Sequence, residues 1–377
     1  MYVLGNDPLR GVRPVVSVVV STRNRESFLV DLLDSLREQN FDRFEVIVVD
    51  DSDNPLSKKK IADIIREFSE DLKIKLLSNS RRLGIPCSLN RGILAAKGRI
   101  VAFTDDDCIA DETWLEKLTA WYKYPDVGGV GGRIIPIEYD SLWIPKKREK
   151  PHLIGKILWD GSVVSNFDLD LGPIPVDCLA GANMSFRRDL LLKVGCFSTV
   201  YKGNAYRFET DLSLRIKKLG YKIIFDPNAI VYHRRAVEGG ARLDAYKWNY
   251  WFSRNHTLFL VKCLPAGFLK AFIFFFKQLV RILGYKRYCP YDKPRKWHKV
   301  LAMLVKGFID GLSMGLRHIY AEEELSNWSH ELCTEFPGLK KKIRFPLLRI
   351  SPIFNLYNNF NSLTIPLSHV GKESLII

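Results

Sequence analysis

Residues 15–20 (VVSVVV) form a run of β-branched apolar residues interrupted only by Ser17, the pattern of a strand buried on both faces. Phe28, Leu29, Leu32, Leu33 and Leu36 then recur at helical spacing. Residues 44–49 read as a second buried strand that runs into Asp50-Asp51. Ile61, Ile64, Ile65 and Phe68 mark a second helix face, residues 74–77 a short strand, and residues 88–96 a further helix. Residues 99–103 are another apolar run, and Asp105-Asp106-Asp107 follow it. Strand and helix alternate, which predicts an α/β fold: a mostly parallel sheet with helices on both faces.

The alternation stops near residue 236. Tyr246, Trp248, Tyr250, Trp251 and Phe252 crowd together, and residues 258–283 then read as one long apolar helix. On it Lys270, Lys277 and Arg281 fall within about 40° of one another, opposite Phe268, Phe272, Ile273, Phe275, Phe276, Leu279 and Leu283. A basic stripe over a broad apolar face predicts a helix lying in a membrane interface, started or kinked by Pro265. A core-packing helix with a charged edge is the competing reading. Residues 301–320 are another apolar helix candidate, and residues 326–377 carry little pattern. The expected organisation is therefore a catalytic unit at 1–235, a basic, aromatic helical region at 236–325 and an extension at 326–377.

Charge sharpens this division. The 377 residues hold 57 Lys and Arg against 42 Asp and Glu, a net charge of +15. Residues 1–240 carry 36 basic and 33 acidic side chains, whereas residues 241–377 carry 21 and 9. A near-neutral first part with acidic strand ends argues against a phosphate-backbone binder, so no nucleic-acid partner is expected. The basic remainder, with further clusters at Lys286-Arg287, 293–299 and 340–344, suits an anionic lipid surface. Seven scattered cysteines with no Cys-x-x-Cys pair fit a reduced compartment, without a disulfide framework or a cysteine zinc site. With no signal-like start and no long uncharged apolar run, the expected location is cytoplasmic, peripheral on the inner face of the cell membrane.

In an α/β sheet, ligands bind beyond the carboxyl ends of the strands. Asp50 and Asp51 follow one strand and Asp105, Asp106 and Asp107 another, so both groups are expected in one crevice. Their mutual repulsion calls for a cation or bound donors, and the carboxylates, read with neither His nor Cys as a neighbour to suggest zinc, suit Mg²⁺ or Mn²⁺. Such an ion typically holds a diphosphate. No Gly-x-x-x-x-Gly-Lys-Ser/Thr is present, and the glycines at 128–132 do not follow the first strand, so a metal would have to neutralise the phosphates.

The ordered motifs VVSVVVSTRN (15–24), VVDDS (48–52), LNRG (89–92), FTDDD (103–107), GANMSFRR (181–188), ETDLSLR (209–215) and Pro227 with His233 resemble glycosyltransferase family 2, inverting nucleotide-sugar enzymes of GT-A fold, over residues 14–235. The resemblance implies that Thr22, Arg23 and Asn24 face the nucleotide and that Asp51, with Asp50 beside it, meets the base. Asn90 and Asp106 join the donor site. Asp105 and Asp107 form the DxD pair, with His233 near the metal or diphosphate. Glu209 matches the catalytic base and Asp211 is its reserve, although positions i and i+2 of a helix face different sides. Asp177 and Arg187 are possible polar contacts. Where relatives place Arg immediately before the position of Asn90, this chain has Leu89, leaving open whether Arg81, Arg82 or Arg91 reaches the diphosphate.

The leading expectation is transfer of a sugar from a UDP-, GDP- or dTDP-linked donor to a hydroxyl on a lipid-linked or glycan acceptor. A nucleotidyltransferase acting on a sugar phosphate would need a glycine-rich loop that residues 21–25 lack. A non-enzymatic basic binding protein is the other alternative.

Overall fold

The computed structural model of the protein describes residues 14–137, 150–234, 236, 239–283 and 296–320. The clusters at Lys286-Arg287 and 340–344 and the extension at 326–377 lie outside the described residues. The first part alternates as its pattern predicts: β1 (Val16–Thr22), α1 (Glu26–Arg37), β2 (Phe44–Asp50), α2 (Pro55–Phe68), β3 (Ile74–Ser78), α3 (Ile85–Ala95) and β4 (Ile100–Phe103). Strand β1 pairs in parallel with β2 and β4, and β2 with β3. Helix α2 starts where Asn54 accepts a hydrogen bond from Leu56 N and Pro55 supplies a preset φ.

The chain continues through β5 (Cys108–Ala110), α4 (Trp114–Ala120), β6 (Val127–Pro136), β7 (Lys156–Ile157), β8 (Val163–Val164), β9 (Ile174–Pro175), β10 (Met184–Arg187), α5 (Arg188–Lys193), α6 (Phe208–Lys218) and β11 (Lys222–His233). The main sheet runs β3-β2-β1-β4-β10-β6-β11-β5, with β10 antiparallel to both neighbours and β9 paired to β11. Period-two alternation divides the strand side chains between two cores. Val18, Val20, Val46 and Val48 join Leu29, Ile61 and Trp114 on one face, while Val19, Ile47 and Val49 join Ile93, Leu190 and Leu212 on the other. The glycines of β6 serve packing: a Cβ on Gly132 would stand 1.8 Å from the Ala229 carbonyl oxygen.

The C-terminal part corrects two expectations. The helix expected across 258–283 is two helices, α7 (Ala245–Cys263) and α8 (Gly267–Leu283), separated at Pro265; α9 (Trp297–Tyr320) follows. Leu258, Phe259, Leu260 and Val261 are buried in the same core as Phe103 and Phe186, because α7 packs on the sheet unit instead of facing outward. Gly307 and Gly311 bring α9 onto α7, where a Cβ would lie 2.3 Å from the Tyr250 oxygen or 2.5 Å from the Arg254 oxygen. Helix α8 covers this pair with Ala271, Phe274 and Ile282 and turns Phe268, Leu269, Phe272, Phe276, Val280 and Leu283 outward. Among the described residues, no helix is long and apolar enough to cross a membrane.

Candidate active site

The carboxyl ends of β1, β2 and β4 open onto a cavity of about 380 Å³ lined by Thr22, Arg23, Asp51, Arg82, Asp105, Asp106, Asp107 and His233. A second cavity of about 400 Å³ holds Glu209, Asp168, Asn166 and Gly181. Ile85, Asp105, Asn204 and His233 line both, so the two cavities adjoin at Asp105 and His233. The sheet creates this meeting: β11 runs antiparallel to β5, and His233 stands opposite Cys108, one residue after Asp107.

Asp51 shapes the first cavity. Its carboxylate accepts hydrogen bonds from Leu83 N (2.7 Å), Gly84 N (2.8 Å) and Asn79 Nδ2 (2.7 Å), which places Arg82 on the cavity wall. Of the basic residues left open by the sequence, Arg82 lines the cavity, while Arg91 donates to Ser78 O and Asn79 Oδ1. Arg23 also lines the cavity, fixed by Asp53 (2.9 Å) and the Gly240 oxygen (3.0 Å).

The three aspartates differ sharply. Burial raises Asp105, and the nearby Asp107 charge raises it further against His233 and Arg25. Burial also pushes Asp106 up, to about 6, with Arg25 opposing it. Burial acts on Asp107 in the same direction, yet a hydrogen bond from His233, the Arg25 charge and the Ala236 N–H outweigh it and hold this carboxyl well below the usual range. Arg25 itself is buried, 2.8 Å from Asp106 and 3.2 Å from Asp107. His233 Nε2 lies 3.1 Å from Asp107 Oδ1.

Asp107, Cys108 and His233 present ligand atoms within 4.8 Å of one another. Cys108 is buried, and burial raises its thiol well above the ordinary pKa. The remaining donors are carboxylate and imidazole, with Asp105 on the same wall. That set could hold a divalent ion such as Mg²⁺ or Mn²⁺ and lacks the thiolates of a cysteine zinc site.

Glu209 sits in the first turn of α6. Its Oε2 is buried without a hydrogen-bond partner, and burial pushes the carboxyl up to about 7, opposed first by a hydrogen bond from its own backbone N–H and then by the Arg207 charge, with Asp105 adding to the rise. A carboxylate poised near neutrality at a cavity wall can accept a proton.

Several expected site residues are not brought there. Asp211 is fully buried, accepts from Arg215 Nε (2.8 Å) and Cys263 Sγ (3.0 Å), lies 3.5 Å from Lys262, and lines neither cavity. Asn90 is turned into the core, where it exchanges two hydrogen bonds with the Phe197 backbone, so it ties α3 to the loop after α5 and lines neither cavity. Asp50 is fully buried and caps Ser52 N, because the last residue of β2 points into the sheet's packing. Asn24 adopts φ 52° and donates to Asp53, leaving only Thr22 and Arg23 of the 22–24 loop on the cavity. Asp177 pairs with Lys217, and Arg187 donates to the carbonyls of Tyr122, Tyr124 and Val127. Sequence reasoning missed Arg25, whose position as the second arginine after β1 was its one signal. It also missed Arg242, 3.9 Å from Asp107, and Trp248 of α7, both of which line the first cavity.

Residues 17–195 match the family described as "Glycosyl transferase family 2". The chain is 28% identical over 229 residues to the "Glucosyl-dolichyl phosphate glucuronosyltransferase" of Haloferax volcanii, covering 58% of this chain and 69% of that protein. Two further curated relatives are matched over only 34% and 53% of their length. Among solved structures, S. aureus TarS 1-349 in complex with UDP-GlcNAc superposes with a TM-score of 0.52 at 17% identity, covering 88% of this chain and 94% of that one. GalNAc-T7 with UDP, GalNAc and Mn²⁺ gives a TM-score of 0.51 at 19% identity, over 72% and 57%. These likenesses show the GT-A fold.

Proposed function

We propose that this chain, which carries a glycosyl transferase family 2 domain at residues 17–195 and is thereby a glycosyltransferase, transfers a sugar with inversion from a nucleotide-sugar donor to an acceptor hydroxyl, using Glu209 as the base. The observation that carries this reading is the buried Glu209 carboxyl, its Oε2 without a hydrogen-bond partner and its pKa poised at about 7, in a cavity that adjoins the one holding Asp51, Asp105, Asp107 and His233.

Asp107 and His233, with Asp105 beside them, would hold a divalent ion; when bound, it supplies positive charge to the diphosphate. Asp51 keeps the 79–84 loop in place so that the nucleotide meets a preformed wall, and Arg23, Arg82 and Arg242 add cations there. From the other cavity the acceptor oxygen attacks the anomeric carbon. The new C–O bond forms as the bond to the diphosphate oxygen breaks, and the hydroxyl proton passes to Glu209. One base acting from the acceptor side gives inversion.

Heat-shift measurement and donor hydrolysis with UDP-, GDP- and dTDP-sugars, each with Mg²⁺ or Mn²⁺, test the donor class. One nucleotide is expected to raise the unfolding midpoint in a metal-dependent way. If none stabilises the protein, the reading fails.

The acceptor is proposed to be a lipid-linked or glycan hydroxyl at the cytoplasmic face of a membrane. The curated relative named for glucosyl-dolichyl phosphate supports this, as does the outer face of α8. There Leu269 and Val280 are 62% and 69% exposed, with Lys270, Lys277 and Arg281 along one side of the same helix, Lys277 paired with Asp160 and Lys270 donating to the Pro265 oxygen. An apolar face edged by cations fits a helix lying in the headgroup layer. Phe272→Glu with Phe276→Glu is expected to abolish flotation with anionic vesicles and leave donor hydrolysis intact; undiminished flotation refutes the membrane contact.

A further inference from the structure

We infer that Arg207 is a positioning residue for Glu209, and that α7 holds it, with the strap at 203–207, through His256, Asn255 and Trp251. The inference rests on Glu209 being the base. The strap passes between the two cavities: Gly203, Asn204 and Tyr206 line the first, and Asn204, Phe208 and Glu209 the second.

Its backbone is unusual. Gly203, Ala205 and Arg207 have φ values of 68°, 51° and 78°, and two of these three left-handed residues carry side chains. L residues keep that conformation only where surrounding contacts over-determine it, and such strain clusters at functional sites. Arg207 is also the residue from which α6 springs, two positions before Glu209, yet its side chain does not cap that helix. It turns instead to α7, donating from Nε to His256 Nδ1 (3.2 Å) and from Nη2 to the Tyr206 hydroxyl (2.6 Å), with its guanidinium 4.2 Å over the Tyr206 ring.

Helix α7 supplies further anchors. Asn255 Nδ2 donates to Lys202 O (2.8 Å) and Asn204 Oδ1 (3.1 Å), and Arg254 donates to Val200 O. The Trp251 ring lies under Gly203, where a Cβ would stand 2.3 Å from it. His256 is buried, and burial together with the Arg207 charge keeps it neutral, so Nδ1 is free to accept. Ring contacts with Phe252, Phe259 and Phe274 fix its plane. Helix α7, which lies beyond the residues matched to the family, is thus a clamp on the segment that aims the base. Arg207 places its cation where it offsets the burial of Glu209, while the Asp105 charge works against it; the Glu209 charge in turn raises the Tyr206 hydroxyl and the Cys178 thiol, and Asp168 and His233 stand on the same cavity wall.

The test compares Arg207→Met, Arg207→Lys and His256→Phe in the full chain. Two readouts apply: steady-state kinetics per folded molecule against pH, and titration of the Glu209 carboxyl by difference infrared spectroscopy against Glu209→Gln. Arg207→Met is expected to lower kcat by about 10- to 100-fold with donor KM nearly unchanged, as small misplacements of a catalytic group do. It should also raise the Glu209 midpoint by about half a unit or more, since a nearby cation is gone. Arg207→Lys should restore the midpoint and only part of kcat. His256→Phe keeps the packing but loses the acceptor, and should lower kcat with the midpoint unmoved. If Arg207→Met only lowers the unfolding temperature, with kcat and midpoint as in the wild type, the inference is wrong. Should that variant not fold, a wild-type kcat in both Arg207→Lys and His256→Phe overturns it equally. If no donor is turned over even by the wild type, the proposed function fails, and the infrared midpoints alone decide the inference.

Discussion

Glu209→Gln is expected to lower kcat by about 10²- to 10⁴-fold, the usual contribution of a positioned general base. Glutamine keeps the shape and one acceptor oxygen, so donor binding in the neighbouring cavity should persist, as nucleotide-induced heat shift would show. The wild-type rate should rise as pH passes through about 7, where the carboxyl loses its proton, and this limb should vanish in the variant. Stability moves the other way. The folded pKa lies above the value of an unfolded glutamate, so the native state binds more protons between the two and becomes less stable as pH rises through that window. Above pH 7 the buried charge is expected to cost about 1–3 kcal/mol, and Glu209→Gln should recover much of it. A variant that is inactive and more heat-stable at pH 8, yet equally stable at pH 4, is the predicted signature. Retained turnover sinks the base assignment.

Much of this site was legible because its logic is local. Apolar runs place β1, β2 and β4, and the residues that follow such strands must share one crevice, which is where Asp51, Asp105 and Asp107 are found. His233 was reached only through the family resemblance, and the structure places it at the end of β11. What escaped is what depends on neighbours distant in sequence. Asn90 has the same motif context whether it meets a ligand or the Phe197 backbone, 107 positions away. The amphipathic pattern of 258–283 identifies an apolar face but not its partner. The first four residues are in the core and only α8 keeps an outward face. Arg25 gave little signal because the aspartates it pairs with lie 81 and 82 residues further on. Trp248 gave none, since aromatic residues before an apolar helix are equally common in ordinary packing.

Asp211→Asn is expected to lose stability and not chemistry, the reverse of the change two residues before it. Helical geometry already separates the pair, since i and i+2 cannot face one cavity. Asp211 is fully buried, against Arg215 and Lys262, whose side chains are 23% and 7% exposed. Breaking a buried ion pair from one side typically costs about 3–5 kcal/mol, because the remaining charge has no compensation. Lys262 keeps a hydrogen bond to Ser198 and Arg215 one to the Val194 oxygen, which favours the lower end of that range. Against a total stability of about 5–15 kcal/mol, even the lower figure is a large loss. The pH dependence distinguishes the two acids again. Burial works to raise Asp211, but Arg215 and Lys262 hold it well below the carboxylate range. Its contribution is therefore complete above about pH 4, the unfolded value, and lost as pH falls further. Urea unfolding should show the variant and wild type converging in acid and diverging near neutrality. Removing a cation as well, in Asp211→Asn with Arg215→Gln, should return part of the loss, since fewer buried charges are then left without a counter-ion. Unchanged urea stability in Asp211→Asn, with kcat reduced as far as in Glu209→Gln, would reverse the two roles.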